Sequence, residues 1–167
     1  SLINANTLFQ PYDFNTCVGY RSLNSFVCGG DNTAIGSEAL LILNDINFAA
    51  FNTAVGRSAL IQTTSSLHNT AIGYNSLSSN VKGFYNTAVG SNSGKFIGVT
   101  GSNNTFIGYN SGSTGSVSYT NSTALGNGST ITASNQVRIG DSSVTSIGGY
   151  ANWTNVSDGR DKKDIEF

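Results

Sequence analysis

Seven near-copies of one short phrase, Asn-Thr-small-aliphatic-Gly, leave this chain few options other than a stack of small, similar coils. Aligned on the glycine, the phrase recurs at Gly19, Gly36, Gly56, Gly73, Gly90, Gly108 and Gly126, spaced 17, 20, 17, 17, 18 and 18 residues apart. The residues before the glycine run from Asn15-Thr16-Cys17-Val18 through Asn69-Thr70-Ala71-Ile72 to the variant Ser122-Thr123-Ala124-Leu125. Three residues after it stands a small side chain in every copy: Ser22, Ala39, Ala59, Ser76, Ser93, Ser111 or Ser129. A short period with a glycine and a β-branched residue at fixed phase specifies a solenoid with one coil per repeat. The expected fold class is all-β, a parallel β-solenoid.

Within a copy, the alternation in Thr70-Ala71-Ile72 is that of a three-residue strand, with Thr and Ile on one face and Ala on the other. Ile or Val is expected in the interior of the coil. The small residues Ala34, Ala54, Ala71, Ala88 and Ala124 are expected to turn outward and line the axis between chains, where a second surface can approach closely. One coil of about 17 residues encloses little interior, so such a stack has reason to associate, and a symmetric homo-oligomer is the default. Stacking at the inter-strand spacing of about 4.8 Å makes seven coils a rod roughly 34 Å long. The recurring Asn is expected to form an amide ladder along it, and the recurring glycine to mark a corner with positive φ.

Composition fits this picture and removes several functions. Charged residues make up 10% of the chain, well below the usual quarter, and glycine occurs 20 times. With a net charge of −1 and scattered Lys and Arg, no basic stripe can neutralise a row of phosphates, so no nucleic-acid partner is expected. The longest apolar run, Ala39 to Leu43, is far short of a membrane span, and membrane insertion is not expected. The chain opens at Ser1 with no initiator Met or signal-peptide pattern, which reads as a processed chain or a fragment. Cys17 occupies the Ala slot of the first coil and reads as a small buried side chain; a disulfide to Cys28 is the alternative. Two cysteines cannot complete a zinc site, and no metal or cofactor is expected.

Four regions follow. Residues 1–14 precede the first full coil, contain the only proline, Pro11, and read as an N-terminal cap. Residues 15–134 are the solenoid. In it, coil two carries the longest apolar insertion, Leu41 to Phe51, and in coils five and six the Leu found four residues after the glycine gives way to Gly94 and Gly112. A change of cross-section is expected there. Residues 135–156 form a terminal β element, and 157–167 a charged tail.

Little in the chain suggests catalysis. Polysaccharide hydrolysis needs two carboxylates flanking the scissile bond, yet no Asp or Glu occurs from Ile46 to Gly140, and only Asp31, Glu38 and Asp45 could meet on one part of the rod. His68 precedes the repeat Asn in a slot filled elsewhere by Asp31, Phe51, Tyr85 and Asn103, which marks a surface histidine without an acid partner. Tyr20, Tyr74 and Tyr109 follow the glycine in coils one, four and six. They could stack on sugar rings, but are too widely spaced for one continuous platform, which favours packing at the corner. The Asn-x-Ser/Thr matches arise by chance in so Asn- and Ser-rich a chain.

The Asn-Thr-Ala-Ile-Gly repeats resemble the heads of trimeric autotransporter adhesins. The run from Val137 to Ile165, VRIGDSSVTSIGGYANWTNVSDGRDKKDI, resembles the junction between phage-type tail-fibre modules and an endosialidase-type intramolecular chaperone. The first resemblance implies a left-handed β-roll that trimerises about an axis. The second implies a chaperone that holds three chains together and then cuts itself off at Ser157-Asp158 with Lys162 assisting. Asp161 departs from the apolar residue usual there, and only residues 157–167 fall within the chaperone. Together they imply a homotrimeric, non-enzymatic fibre or adhesin module, projecting from a virion or cell surface and binding a surface receptor, a glycan foremost. A fragment of a polysaccharide-degrading tailspike is the alternative.

Overall fold

The computed structural model describes residues 14–24, 29–41, 49–98 and 100–149. The first six copies of the repeat each contribute one three-residue strand: β1 (Thr16–Val18), β2 (Thr33–Ile35), β3 (Thr53–Val55), β4 (Thr70–Ile72), β5 (Thr87–Val89) and β6 (Thr105–Ile107). The pair β7 (Gly112–Ser113) and β9 (Thr130–Ile131) forms a second, smaller sheet, while β8 (Thr123–Leu125) and β10 (Val137–Ile139) extend the first. All pairings are parallel, and the large sheet runs β1-β2-β3-β4-β5-β6-β8-β10. The chain is therefore an all-β solenoid of about seven turns, and no helix occurs among the described residues.

Register never slips. Thr70 pairs with Thr53 and Thr87, Ala71 with Ala54 and Ala88, and Ile72 with Val55 and Val89. Two side-chain features hold this phase. The buried repeat asparagines form the expected ladder: the Nδ2 of Asn52 donates to Oδ1 of Asn32 at 3.2 Å, that of Asn69 to Asn52 at 3.1 Å, and that of Asn104 to Asn86 at 3.1 Å. Each Oδ1 also accepts the backbone N–H of the next Asn, as in Asn69 N–H to Asn52 at 3.0 Å. A slip by one residue would strand these buried amides without partners.

The glycine column is the second feature. Gly36, Gly56, Gly73 and Gly90 all have φ near +130°. A Cβ on Gly73 would stand 2.4 Å from the carbonyl oxygen of Gly90. Backbone strain and close approach of the next coil thus both require glycine.

The two faces of the strands are the reverse of the sequence expectation. Ala34, Ala54, Ala71, Ala88 and Ala124 are fully buried within a single chain, in a core they share with Leu40, Leu60, Leu77, Ile97, Phe106 and Ile131. They cannot line an axis between chains. The reason is volume: Leu from the position four after the glycine already occupies the thin interior, and Ala is what fits opposite. Small residues three after the glycine complete that interior, and the serines among them tie coils together, as where Ser93 Oγ donates to the Phe106 carbonyl at 2.8 Å. Ile and Val face outward.

The change of cross-section expected at coils five and six takes the form of an exchange in the core. Leu is replaced by Gly94, and Ala by Phe106, whose ring enters the space that the leucine side chain fills in coils two to four. Downstream, β10 pairs in phase with β8, so the terminal element begins as one more rung of the sheet, with Arg138 in the Ala slot. Most of the N-terminal cap (1–13), most of the coil-two insertion (42–48), and the terminal segment with Trp153, Ser157, Asp158 and Lys162 lie outside the described residues.

Candidate functional site

A rod has several sides, and each displays one column of residues. The first side is the outer face of the large sheet. Val18, Ile35, Ile72, Val89, Ile107, Leu125 and Ile139 form a single file there, each between 36% and 58% exposed. Beside it runs a half-buried file of threonines, Thr33, Thr53, Thr70, Thr87, Thr105 and Thr123. With eight strands about 4.8 Å apart the face is about 34 Å long. Contiguous apolar surface of this extent is what an isolated chain rarely leaves in water.

The second side lies just before the repeat Asn. Asp31, Phe51, His68, Tyr85, Asn103, Asn121 and Asn135 occupy it, every one with φ between +53° and +60°. Asn and Asp enter the left-handed region readily, whereas an aromatic residue there costs about 1–2 kcal/mol. Stacking supplies an offset. The ring of His68 lies 4.8 Å from that of Phe51 and 5.2 Å from that of Tyr85, with interplanar angles of 4° and 7°. Each such contact contributes about 0.5–1.5 kcal/mol. His68 is exposed, as its variable slot suggested, and it is the middle ring of a three-ring stack. The residue types in this slot vary along the chain and carry no signal for the stack; what the slot shares is its backbone conformation.

On the third side, just after the glycine corner, Tyr20, Tyr74 and Tyr109 are about half to two-thirds exposed. Corner packing does not hide them. Arg57 of the preceding coil sits 5.9 Å from the ring of Tyr74 in a cation–π arrangement. Register places two coils between Tyr20 and Tyr74 and one between Tyr74 and Tyr109, so the structure does not bring the tyrosines together.

Next to this column a cleft of about 360 Å³ crosses coils five to seven, lined by Lys95, Phe96, Asn110, Ser113, Gly115 and Thr130 among others. Ser113 Oγ donates to the Phe96 carbonyl at 2.6 Å and so pins coil five to coil six at its edge. The Phe96 ring is half exposed, and Lys95 Nζ lies 5.1 Å from its centroid. A backbone hydrogen bond from Asn92 to the Tyr74 carbonyl, 2.7 Å, and the adjacency of Tyr109 and Asn110 place the tyrosine column along its flank.

Acidic and metal-ligating chemistry is sparse. Asp31 and Glu38 lie in coil two, Asp45 is outside the described residues, and Asp141 is in the last rung. The Asp141 carboxyl is held below its ordinary pKa by the hydroxyl of Ser143, 2.5 Å away, and by the Ser143 backbone N–H. Among the described residues no cluster of three His, Cys, Asp or Glu side chains could hold a metal ion. Cys17 is half-buried in the Ala slot opposite Ala34, and Cys28 lies outside the described residues. No helix among the described residues is long and apolar enough to cross a membrane.

No family model matches the chain, and the searches of curated proteins and of solved structures found no match either.

Proposed function

We propose that the chain is a fibre or adhesin module: three copies, each a left-handed coil, pack side by side and project from a virion or cell surface to engage a surface receptor, a glycan foremost. The observation that carries this reading is the aliphatic file from Val18 to Ile139 on the outer sheet face. Its neighbours on that face are threonines, with Arg138 the one charged strand residue, on the opposite side of its strand. A second copy of the same surface buries it at no electrostatic cost, and repeating the contact about an axis closes a ring. The axis in this reading is lined by Ile, Val and Thr, and the alanines first assigned to it belong to each chain's own core.

A receptor-binding role draws on the exposed tyrosine column and the cleft beside it. The tail from Ser157 is read as the opening of a chaperone that acts only when complete, with Ser157-Asp158 as its cleavage junction and Lys162 as the assisting base. Incubating the purified protein with capsular and lipopolysaccharide glycans tests the binding role. Retention of glycan without release of reducing ends is expected, and release would favour a degrading tailspike.

A further inference from the structure

Among the described residues an aromatic face, a cation and a wall of hydroxyl and amide groups meet in a concave site that nothing in the fold requires. Coil six contributes Gly112, Ser113, Thr114 and Gly115 to its wall, coil five Lys95 and Phe96, and coil seven Thr130. A Cβ on Gly115 would meet nothing within 4 Å, so the cleft is open at that point. Its volume of about 360 Å³ lies within the range typical of small-ligand sites, and its three coils span about 10 Å, the length of one to two sugar rings.

Charge distribution indicates what kind of ligand suits it. From residue 46 to 140 the chain carries Arg57, Lys82, Lys95 and Arg138 and no acidic residue at all. Lys95 therefore has no carboxylate partner in its own coil or in the coils stacked on it. Two of these cations sit against exposed rings, Arg57 at Tyr74 and Lys95 at Phe96. A single cation next to an aromatic face is too little for a phosphate backbone, which needs a row of charges. It suits one pyranose ring that offers C–H groups to the aromatic face and carries a carboxylate.

We propose that this cleft binds a carboxylate-bearing sugar unit of a surface glycan, with Lys95 pairing with the carboxylate, Phe96 packing on the ring, and Asn110, Thr114 and Thr130 available to its hydroxyls. The inference rests on the receptor reading above and deepens it.

The test is calorimetric titration of the whole protein at low salt with tetragalacturonate and with 3′-sialyllactose, each compared with its methyl ester. The acids should bind and the esters should bind about tenfold more weakly or worse, because the charge-assisted contact is lost. Lys95→Gln should remove the preference for acid over ester, and Phe96→Ala should weaken both forms. Lys82→Gln, an exposed cation outside the cleft, should change neither. The melting temperature of each variant checks that the rod is intact. Equal binding of acid and ester, or wild-type affinity in Lys95→Gln, overturns the proposal and leaves a glycan receptor elsewhere on the rod. A wild-type protein that takes none of the four probes also overturns it, and adhesion to intact cells then decides the receptor reading separately.

Discussion

A Cβ on Gly94 would lie 2.9 Å from Cδ2 of Phe106, one coil further along the rod. The glycine and the phenylalanine are two halves of one substitution. Coils two to four place Leu on one side of the interior and Ala on the other, whereas here the bulk has moved to the strand side. Phe106→Ala should leave a cavity flanked by Leu77 and Ala88 and cost about 3–5 kcal/mol. Gly94→Leu added to it should recover much of that loss. Leucine already adopts the required conformation in this column, with φ of +49° to +52° at Leu40, Leu60 and Leu77, and Gly94 has +61°. Chemical denaturation of the two single variants and the double variant measures the coupling. Strict additivity would mean that the two sites do not share one space.

Asn69 is the middle of the amide ladder. It donates to Asn52, Leu67 and Gly83 and accepts from the Asn86 backbone. Asn69→Ala leaves buried partners on both neighbouring coils unsatisfied and should cost about 3 kcal/mol. Asn69→Ser should cost less than half as much. Coil seven carries Ser122 in that slot, where its hydroxyl donates to Thr120 and accepts the Gln136 N–H. Urea melts of both variants check the order.

Asp141 provides a test in pH. Its carboxyl is lowered by the Ser143 hydroxyl first and the Ser143 N–H second. A depressed folded-state value means that the contribution to stability is complete above the unfolded-state pKa and is lost as pH falls through the folded one. Carbon-detected NMR titration should place the Asp141 midpoint below that of an unstructured Asp. In Ser143→Ala it should rise. The pair lies at the surface, so the global melting temperature should hardly respond.

How much of this was legible beforehand depends on which property a residue's slot conserves. The Thr-Ala-Ile strand, the Asn ladder and the glycine corner follow from side-chain chemistry recurring at fixed phase, and all three stand as read. Period two also separated Ala71 from Ile72 correctly, but alternation alone does not say which face is inside. That is decided by what lies across the coil, and the clue was Leu40, Leu60 and Leu77 at one phase, already enough to fill a thin interior. The stack of Phe51, His68 and Tyr85 was hidden because its slot conserves a backbone conformation. The Lys95 cleft depends on residues from three coils, which no single window of sequence displays.

Neighbouring residues of one strand separate folding from assembly. Ala71 is fully buried within its own chain, so Ala71→Arg should unfold the coil, with loss of the β-sheet circular dichroism signal. Ile72, 40% exposed on the outer face, should accept Arg in an intact coil, and Ile72→Arg should yield a folded protein that no longer associates. The opposite pattern, an associating Ile72→Arg or a folded monomeric Ala71→Arg, would return the alanines to the axis.

The most direct measurement is the native mass of the unmodified chain in dilute solution, by analytical ultracentrifugation or native mass spectrometry. A single species at three times the chain mass of 17.4 kDa is expected, persisting at high salt because the aliphatic face carries no charge pairs to screen. A monodisperse, folded monomer at the same concentrations would contradict the trimer, and with it the assignment of the Val18-to-Ile139 file to an interface between chains.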